Sequence, residues 1–203
     1  NARRNLERYH QQMCTFNDDM QGTGAVTLVA LLSAITRTKV PLTEQRIVIV
    51  GAGTAGTGIA DQLCAAMRRE GLSQQEALSR FYLVGRHGLL HQAMPELTAF
   101  QKPYARSDLA ETGTNLSLHE VVKRFKPSVL IGYTGQASIF TDALIQTVAE
   151  QVESPIIFPL SNPTEKSEAM PDDLLHWTKG RALIATGSPS APVDFQGEKM
   201  MIA

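Results

Sequence analysis

Apolar positions along the chain fall into two alternating patterns, short unbroken runs and longer stretches with an apolar residue every three or four positions. Arg46 to Val50 reads RIVIV, and Phe81 to Val84, Ser128 to Tyr133, Pro155 to Leu160 and Ala182 to Thr186 share its character. These runs are short for helices and lack the alternation of a strand with one wet face, so they read as strands covered on both sides. Residues 54–70 carry helical periodicity, and Gly71 is placed to end that helix in a left-handed conformation. Further helices are expected from Ser117 to Arg124, from Asp142 to Gln151 and near Asp172 to Thr178. Ser73 with Glu76, and Ser117 with Glu120, have the spacing of capping boxes, in which serine oxygen and glutamate carboxylate each satisfy a free N–H at a helix start.

Towards the N-terminus, Leu6, Tyr9 and Met13 predict an amphipathic helix over residues 2–13, followed by a polar turn from Phe16 to Asp19. Gly24 to Arg37 is apolar around most of a helix circumference, which predicts burial between other elements, and Pro41 closes it. Residues 95–114 are expected to be irregular. Parallel strands need crossovers, and helices alternating with strands supply them. The expected fold is α/β, a doubly wound parallel sheet with helices on both faces, in one domain covering residues 1–203.

Composition narrows the partners. With 203 residues, 43% hydrophobic and 19% charged, the chain is an ordinary globular one, and its net charge of -1 gives no electrostatic case for nucleic acid or an anionic membrane. Small metabolites are the expected partners. No apolar run approaches the roughly 20 residues of a membrane span, and Cys14 and Cys64 match neither a metal-ligand nor a redox spacing. A cytoplasmic chain with reduced thiols is expected. The histidines at 10, 87, 91, 119 and 176 read as surface or capping residues, and Trp177 as a packing residue.

Gly51-Ala52-Gly53-Thr54-Ala55-Gly56 follows the first strand and opens a helix. In that setting Gly51 permits the tight turn, Gly53 lets a pyrophosphate approach the backbone, and Gly56 allows close helix packing, while the helix N-terminus offers free N–H groups. A dinucleotide is the expected ligand, on a Rossmann-like domain. The second strand should then be followed by an acid for the adenosine ribose, but Gly85 stands there, with Arg86 next. Arg86 either meets a 2′-phosphate, admitting NADP beside NAD, or points to solvent. Asp18 and Asp19 precede a helix, where adjacent carboxylates cap the helix start or, alternatively, hold a metal.

Phe16-Asn17-Asp18-Asp19-Met20-Gln21-Gly22-Thr23 resembles the F-N-D-D-I-Q-G-T segment of malic enzymes, with Met in place of Ile. In the same order follow Gly51-Ala52-Gly53, Ile131-Gly132, Leu160-Ser161-Asn162-Pro163-Thr164, Gly180-Arg181-Ala182 and Ala185-Thr186-Gly187-Ser188-Pro189. The resemblance covers essentially the whole chain and is strongest to the bacterial NAD-linked type. It implies oxidative decarboxylation of malate to pyruvate, with NAD and Mg²⁺ or Mn²⁺. By the same resemblance Asp19 is a metal ligand, Asp18 the carboxylate that orients a catalytic lysine, and Asn162 a contact to malate beside the nicotinamide.

Three further expectations follow from the resemblance. The family's tyrosine–lysine pair and its Glu-Asp metal ligands fall outside this chain, as does a Gly-Asn-Asn segment, so the domain reads as incomplete at both ends. Alone it is expected to bind dinucleotide weakly without oxidising malate. When complete it is expected to form a homo-oligomer. A malolactic enzyme, yielding lactate, resembles the family over the same region, and a non-catalytic nucleotide-binding module is the alternative from another class.

Overall fold

Runs of valine, isoleucine and leucine have no polar face to leave in water, and the strands they form alternate their side chains between two separate cores. The computed structural model describes residues 2–109 and 115–202. Strands β1 (Ile47–Val50), β2 (Phe81–Gly85), β3 (Gly88–Leu89), β4 (Val129–Gly132), β5 (Ile156–Pro159) and β6 (Leu183–Ile184) form one sheet in the order β3-β2-β1-β4-β5-β6. All neighbours are parallel except the β2–β3 edge hairpin. Ile47, Ile49, Phe81, Leu83, Ile131 and Phe158 face one core, while Val48, Val50, Tyr82, Val84, Leu130 and Ile157 face the other. Burying each such side chain contributes roughly 1.5–3 kcal/mol, which is why the strand runs tolerate no polar residue.

The first core lies under α2 (Thr23–Thr38), α3 (Thr54–Arg69) and α4 (Gln74–Ser79), and the second under α5 (Leu118–Phe125), α6 (Asp142–Gln151) and α7 (Pro171–Trp177). Helix α1 (Ala2–Tyr9) is tied to α3 when Arg3 pairs with Asp61 at 2.8 Å. Tyr104 donates to the same carboxylate at 2.7 Å, and burial, then Asp61, hold its phenol far above the usual tyrosine range. Both capping boxes form, and α3 ends in the expected way: Gly71 has φ +107° and the Leu72 N–H reaches the Met67 carbonyl. Trp177 packs on the second core, and Cys14 and Cys64 are free thiols.

Several expectations need correction. Helix α1 stops at Tyr9 rather than Met13, because the chain turns at His10, whose Nδ1 donates to the Glu7 carbonyl at 2.9 Å. Helix α2 buries one face, through Gly24, Thr27, Leu31 and Ala34, and leaves Val26 and Val29 71% and 67% exposed. It is apolar without being enclosed. Its end is set by Lys39 in the left-handed region, two residues before Pro41. The final strand shrinks to Leu183–Ile184, and a hairpin of β7 (Val193–Phe195) and β8 (Glu198–Met200) follows it. The stretch 95–109 contains one 3₁₀ turn, Lys102–Tyr104, and residues 110–114 lie outside the described residues.

Candidate dinucleotide site

The sheet order places β1 and β4 side by side with their connections leaving in opposite directions, so a crevice opens beyond their C-terminal ends. The Gly51–Gly56 loop fills the β1 side of it. Gly51 has φ +111°, and a Cβ there would collide with the Tyr133 carbonyl after β4. A Cβ on Gly56 would collide with the Gly51 carbonyl. Gly53 is exposed and nothing lies within 4 Å of its ideal Cβ, so this is where the loop leaves room for a ligand. Gly53 is also the N-cap of α3 and provides no side-chain cap, which leaves the first-turn N–H groups facing the crevice. Ala52 is buried, Thr54 and Ala55 are half-buried, and Gln101 Nε2 donates to the Ala52 carbonyl at 2.7 Å.

The β2–β3 hairpin borders the glycine loop on the β2 side. Gly85 pairs with Gly88, so Arg86 and His87 are the two exposed residues of the turn. A Cβ on Gly85 would stand 3.7 Å from the Ala52 Cβ, in ordinary contact, which puts this position directly beside the nucleotide loop. Arg86 has no ion-pair partner among the described residues. His87 and His91 are four apart in sequence, but the Gly88 turn separates them, so they do not share a helix face. His91 corrects the surface reading: it is 4% exposed, with Nε2 3.0 Å from the Asn115 Oδ1.

Asp18 and Asp19 open a short π-helical turn, Asp18–Gly22, that runs into α2. The cap is neither aspartate. Asn17 Oδ1 accepts from the Met20 N–H at 3.0 Å, and the Asn17 N–H donates to Gln21 Oε1 at 3.0 Å, a reciprocal pair that frees both carboxylates. Met20 is buried and its Cα would lie 3.0 Å from a Cβ on Gly58, so the turn is seated against α3. Asp18 and Asp19 are exposed, and no ion pair engages either one among the described residues. Also among the described residues, no group of three or more His, Cys, Asp or Glu could hold a metal. The two aspartates leave exposed carboxylates that by themselves make no metal centre.

Asn162 follows β5, two strands from β1, exposed and joined to Pro163 by a cis peptide bond. The crevice edge therefore gathers the glycine loop, Gly85 and the loops after β4 and β5, while the aspartates sit on the flank of α3. Sequence reasoning missed Gln101, which carries no motif. It also missed Glu168, which stands in the polar run Glu165-Lys166-Ser167-Glu168 and looks like surface, yet is fully buried.

The family model described as malic enzyme, NAD binding domain, matches residues 20–203. The chain is 52% identical over 204 residues to NAD-dependent malic enzyme 3 of Bacillus subtilis, covering 97% of the chain and 36% of that protein. It is 45% identical over 207 residues to the NAD-dependent malic enzyme of Aeromonas hydrophila, covering 100% of the chain and 37% of that protein. It thus spans little more than a third of the length of these relatives. The crystal structure of the NAD-dependent malic enzyme of Thermotoga maritima has the same fold, with a TM-score of 0.70 at 24% identity over 94% of this chain and 46% of that one. A glutamate dehydrogenase of Thermus thermophilus shares the architecture more distantly, with a TM-score of 0.52 at 19% identity over 84% of this chain and 36% of that one. The chain belongs to the malic enzyme NAD-binding domain family.

Proposed function

We propose that the complete protein oxidises malate and decarboxylates it to pyruvate and carbon dioxide with reduction of NAD, and that residues 1–203 are its dinucleotide-binding domain. The observation that carries this reading is the open Gly53 position ahead of the uncapped α3 N-terminus, in a chain whose relatives are named NAD-dependent malic enzymes. Pyrophosphate binds the loop N–H groups, the adenosine extends towards Gly85 and Arg86, and the nicotinamide lies towards the loops after β4 and β5. Malate loses its C2 hydride to the nicotinamide and its hydroxyl proton to a base. The resulting oxaloacetate loses carbon dioxide, and the electrons of the broken carbon–carbon bond form enolpyruvate, which is then protonated.

In this scheme Asn162 contacts malate near the nicotinamide, Asp18 orients the acid–base lysine, and Asp19 is one ligand of Mg²⁺ or Mn²⁺. A hard cation of this kind takes about six oxygen ligands, so the rest of its shell comes from other parts of the protein. When bound, it supplies Lewis acidity towards the developing carbonyl. With no acid at Gly85 and an unpaired Arg86 beside it, the site accepts NADP alongside NAD. We also propose a cytoplasmic homo-oligomer; among the described residues no helix is long and apolar enough to cross a membrane. The test is an assay of the complete protein with malate, each dinucleotide and Mn²⁺, identifying the product. Pyruvate with reduced dinucleotide is expected. Lactate without net reduction would replace the reading by a malolactic one, and dinucleotide binding without turnover by a nucleotide-binding module.

A further inference from the structure

Glu168 is 0% exposed, and no cation forms an ion pair with it among the described residues. A carboxylate in that position is tolerable only when hydrogen-bond donors surround it. Four do so. Oε1 accepts from the Thr134 N–H at 2.7 Å, the Thr134 hydroxyl at 2.7 Å and the Ser161 hydroxyl at 2.5 Å, and Oε2 accepts from the Ser161 N–H at 3.2 Å. The Ser161 oxygen in turn accepts from the Gly135 N–H at 2.8 Å. The carboxylate lies against the end of β4, where a Cβ on Gly132 would come within 2.5 Å of Glu168 Cγ. Its own backbone is fixed, since the Phe140 N–H donates to the Glu168 carbonyl at 3.0 Å.

Every one of these donors belongs to the two loops that border the crevice beyond β1. Thr134 and Gly135 follow β4, next to the Tyr133 carbonyl that abuts Gly51. Ser161 follows β5 and immediately precedes the exposed Asn162. The loops also meet directly, the Thr134 and Gly135 N–H groups reaching Ser161 Oγ at 3.0 and 2.8 Å, and the carboxylate completes that link by accepting from both sides of it. A core role alone would not need a carboxylate whose four donors all come from the rim of one site.

We propose that Glu168 is a positioning residue for the nicotinamide half of the site: its carboxylate ties the Thr134–Gly135 loop to the Ser161–Asn162 loop and so sets where Asn162 meets the substrate. This rests on the dinucleotide reading above. In Glu168→Gln the shape is kept, but with the amide oxygen at Oε1 the NH₂ replaces Oε2 and opposes the Ser161 N–H, so the tie to the backbone immediately before Asn162 is broken while the three bonds to Oε1 can persist. Misplacing a contact group by about 1 Å costs on the order of a hundredfold in rate, so a loss of roughly tenfold to a hundredfold in kcat/KM for malate is expected.

The experiment compares the complete wild-type protein with Glu168→Gln, Ser161→Ala and Thr134→Val, using ADP-ribose affinity by calorimetry, the emission of bound NADH, and malate turnover. ADP-ribose lacks the nicotinamide and reports only the loop and adenosine end. The expected result for Glu168→Gln is unchanged ADP-ribose affinity, loss of the altered emission that NADH shows in the wild type, and reduced turnover. Ser161→Ala and Thr134→Val remove one hydroxyl each and are expected to move the same two readouts less, and to add little further once Glu168→Gln is present. Equal losses of ADP-ribose and NADH binding would assign Glu168 to general stability, and normal NADH emission with normal turnover would remove any role; either overturns the proposal. If Glu168→Gln does not fold, the two hydroxyl variants decide by the same readouts. A wild-type protein that bound neither ligand would instead refute the dinucleotide reading itself.

Discussion

The Gly51–Gly56 loop and the Asp18–Asp19 turn are both seated on α3, and they are built on opposite plans. The loop offers backbone: two glycines are forced by carbonyls that leave no room for a Cβ, and the third faces open space before an uncapped helix end. The turn offers side chains: its backbone is capped internally by Asn17 and Gln21, and both carboxylates are exposed and unpaired among the described residues. A backbone site carries its complement within one strand-turn-helix unit, because the N–H groups are fixed by the fold. A side-chain site is finished only by the groups that converge on it. On the proposed reading the loop can act by itself, whereas the turn needs further ligands and a base from beyond its own helix.

The largest effect should fall on the turn. In the complete protein Asp19→Ala is expected to lower malate turnover by roughly three orders of magnitude, the scale of losing a group that stabilises charge in the transition state, with the fold intact. Asp18→Ala should also cripple the rate but leave Mn²⁺ affinity nearly unchanged. Mn²⁺ titration of both variants separates ligand from positioner, and an unaltered affinity in the Asp19 variant would end its assignment as a ligand.

The loop should respond in two distinguishable ways. Gly56→Ala pushes a methyl into the Gly51 carbonyl and should cost about 1–3 kcal/mol of stability, as overpacking does, together with dinucleotide binding. Gly53→Ala meets no atom of the protein, so its melting temperature should hold while NAD affinity falls. Equal destabilisation by the two would mean that the open space at Gly53 is closed in solution. At the adenosine end, Gly85→Asp has room for its Cβ and should shift the NAD-to-NADP ratio of kcat/KM towards NAD by about tenfold, or about 1.4 kcal/mol. An unchanged ratio would show that Gly85 does not face the ribose.

The same contrast explains what could be read in advance. Strand runs, capping boxes and the glycine loop are local in sequence, so spacing alone places them, and the parallel pairing of the strands follows from the need for crossovers. The exposure of Val26 and Val29 on α2 was not legible, because an apolar helix face looks alike whether or not something covers it. Asn17 displaced the aspartates as cap because Gln21 closes a reciprocal pair with it, a choice that depends on the turn geometry. Glu168 was invisible for a stronger reason. Its four donors come from Thr134 and Ser161, and only the pairing of β4 with β5 brings those residues together.

The smallest expected effect concerns the capping boxes, which belong wholly to local structure and touch neither half of the site. Glu76 and Glu120 are held below the ordinary carboxylate range, first by hydrogen bonding to the Ser73 and Ser117 side chains and then by the serine N–H groups. A carboxylate whose value is lowered in the folded protein stabilises it fully above the unfolded value, about 4.3 for glutamate, and that contribution is lost as pH falls through the lowered folded value. Glutamine at the same positions keeps an oxygen for the serine N–H but cannot titrate. The Glu76→Gln, Glu120→Gln variant should therefore melt slightly below the parent at pH 7, and the gap should close as the pH is taken down through 4 towards 2. The other carboxylates titrate alike in both proteins and cancel in the difference. Thermal melts followed by circular dichroism across that range measure the gap directly, and a gap that stayed constant with pH would show that the serine-bound carboxylates add nothing beyond the neutral hydrogen bond.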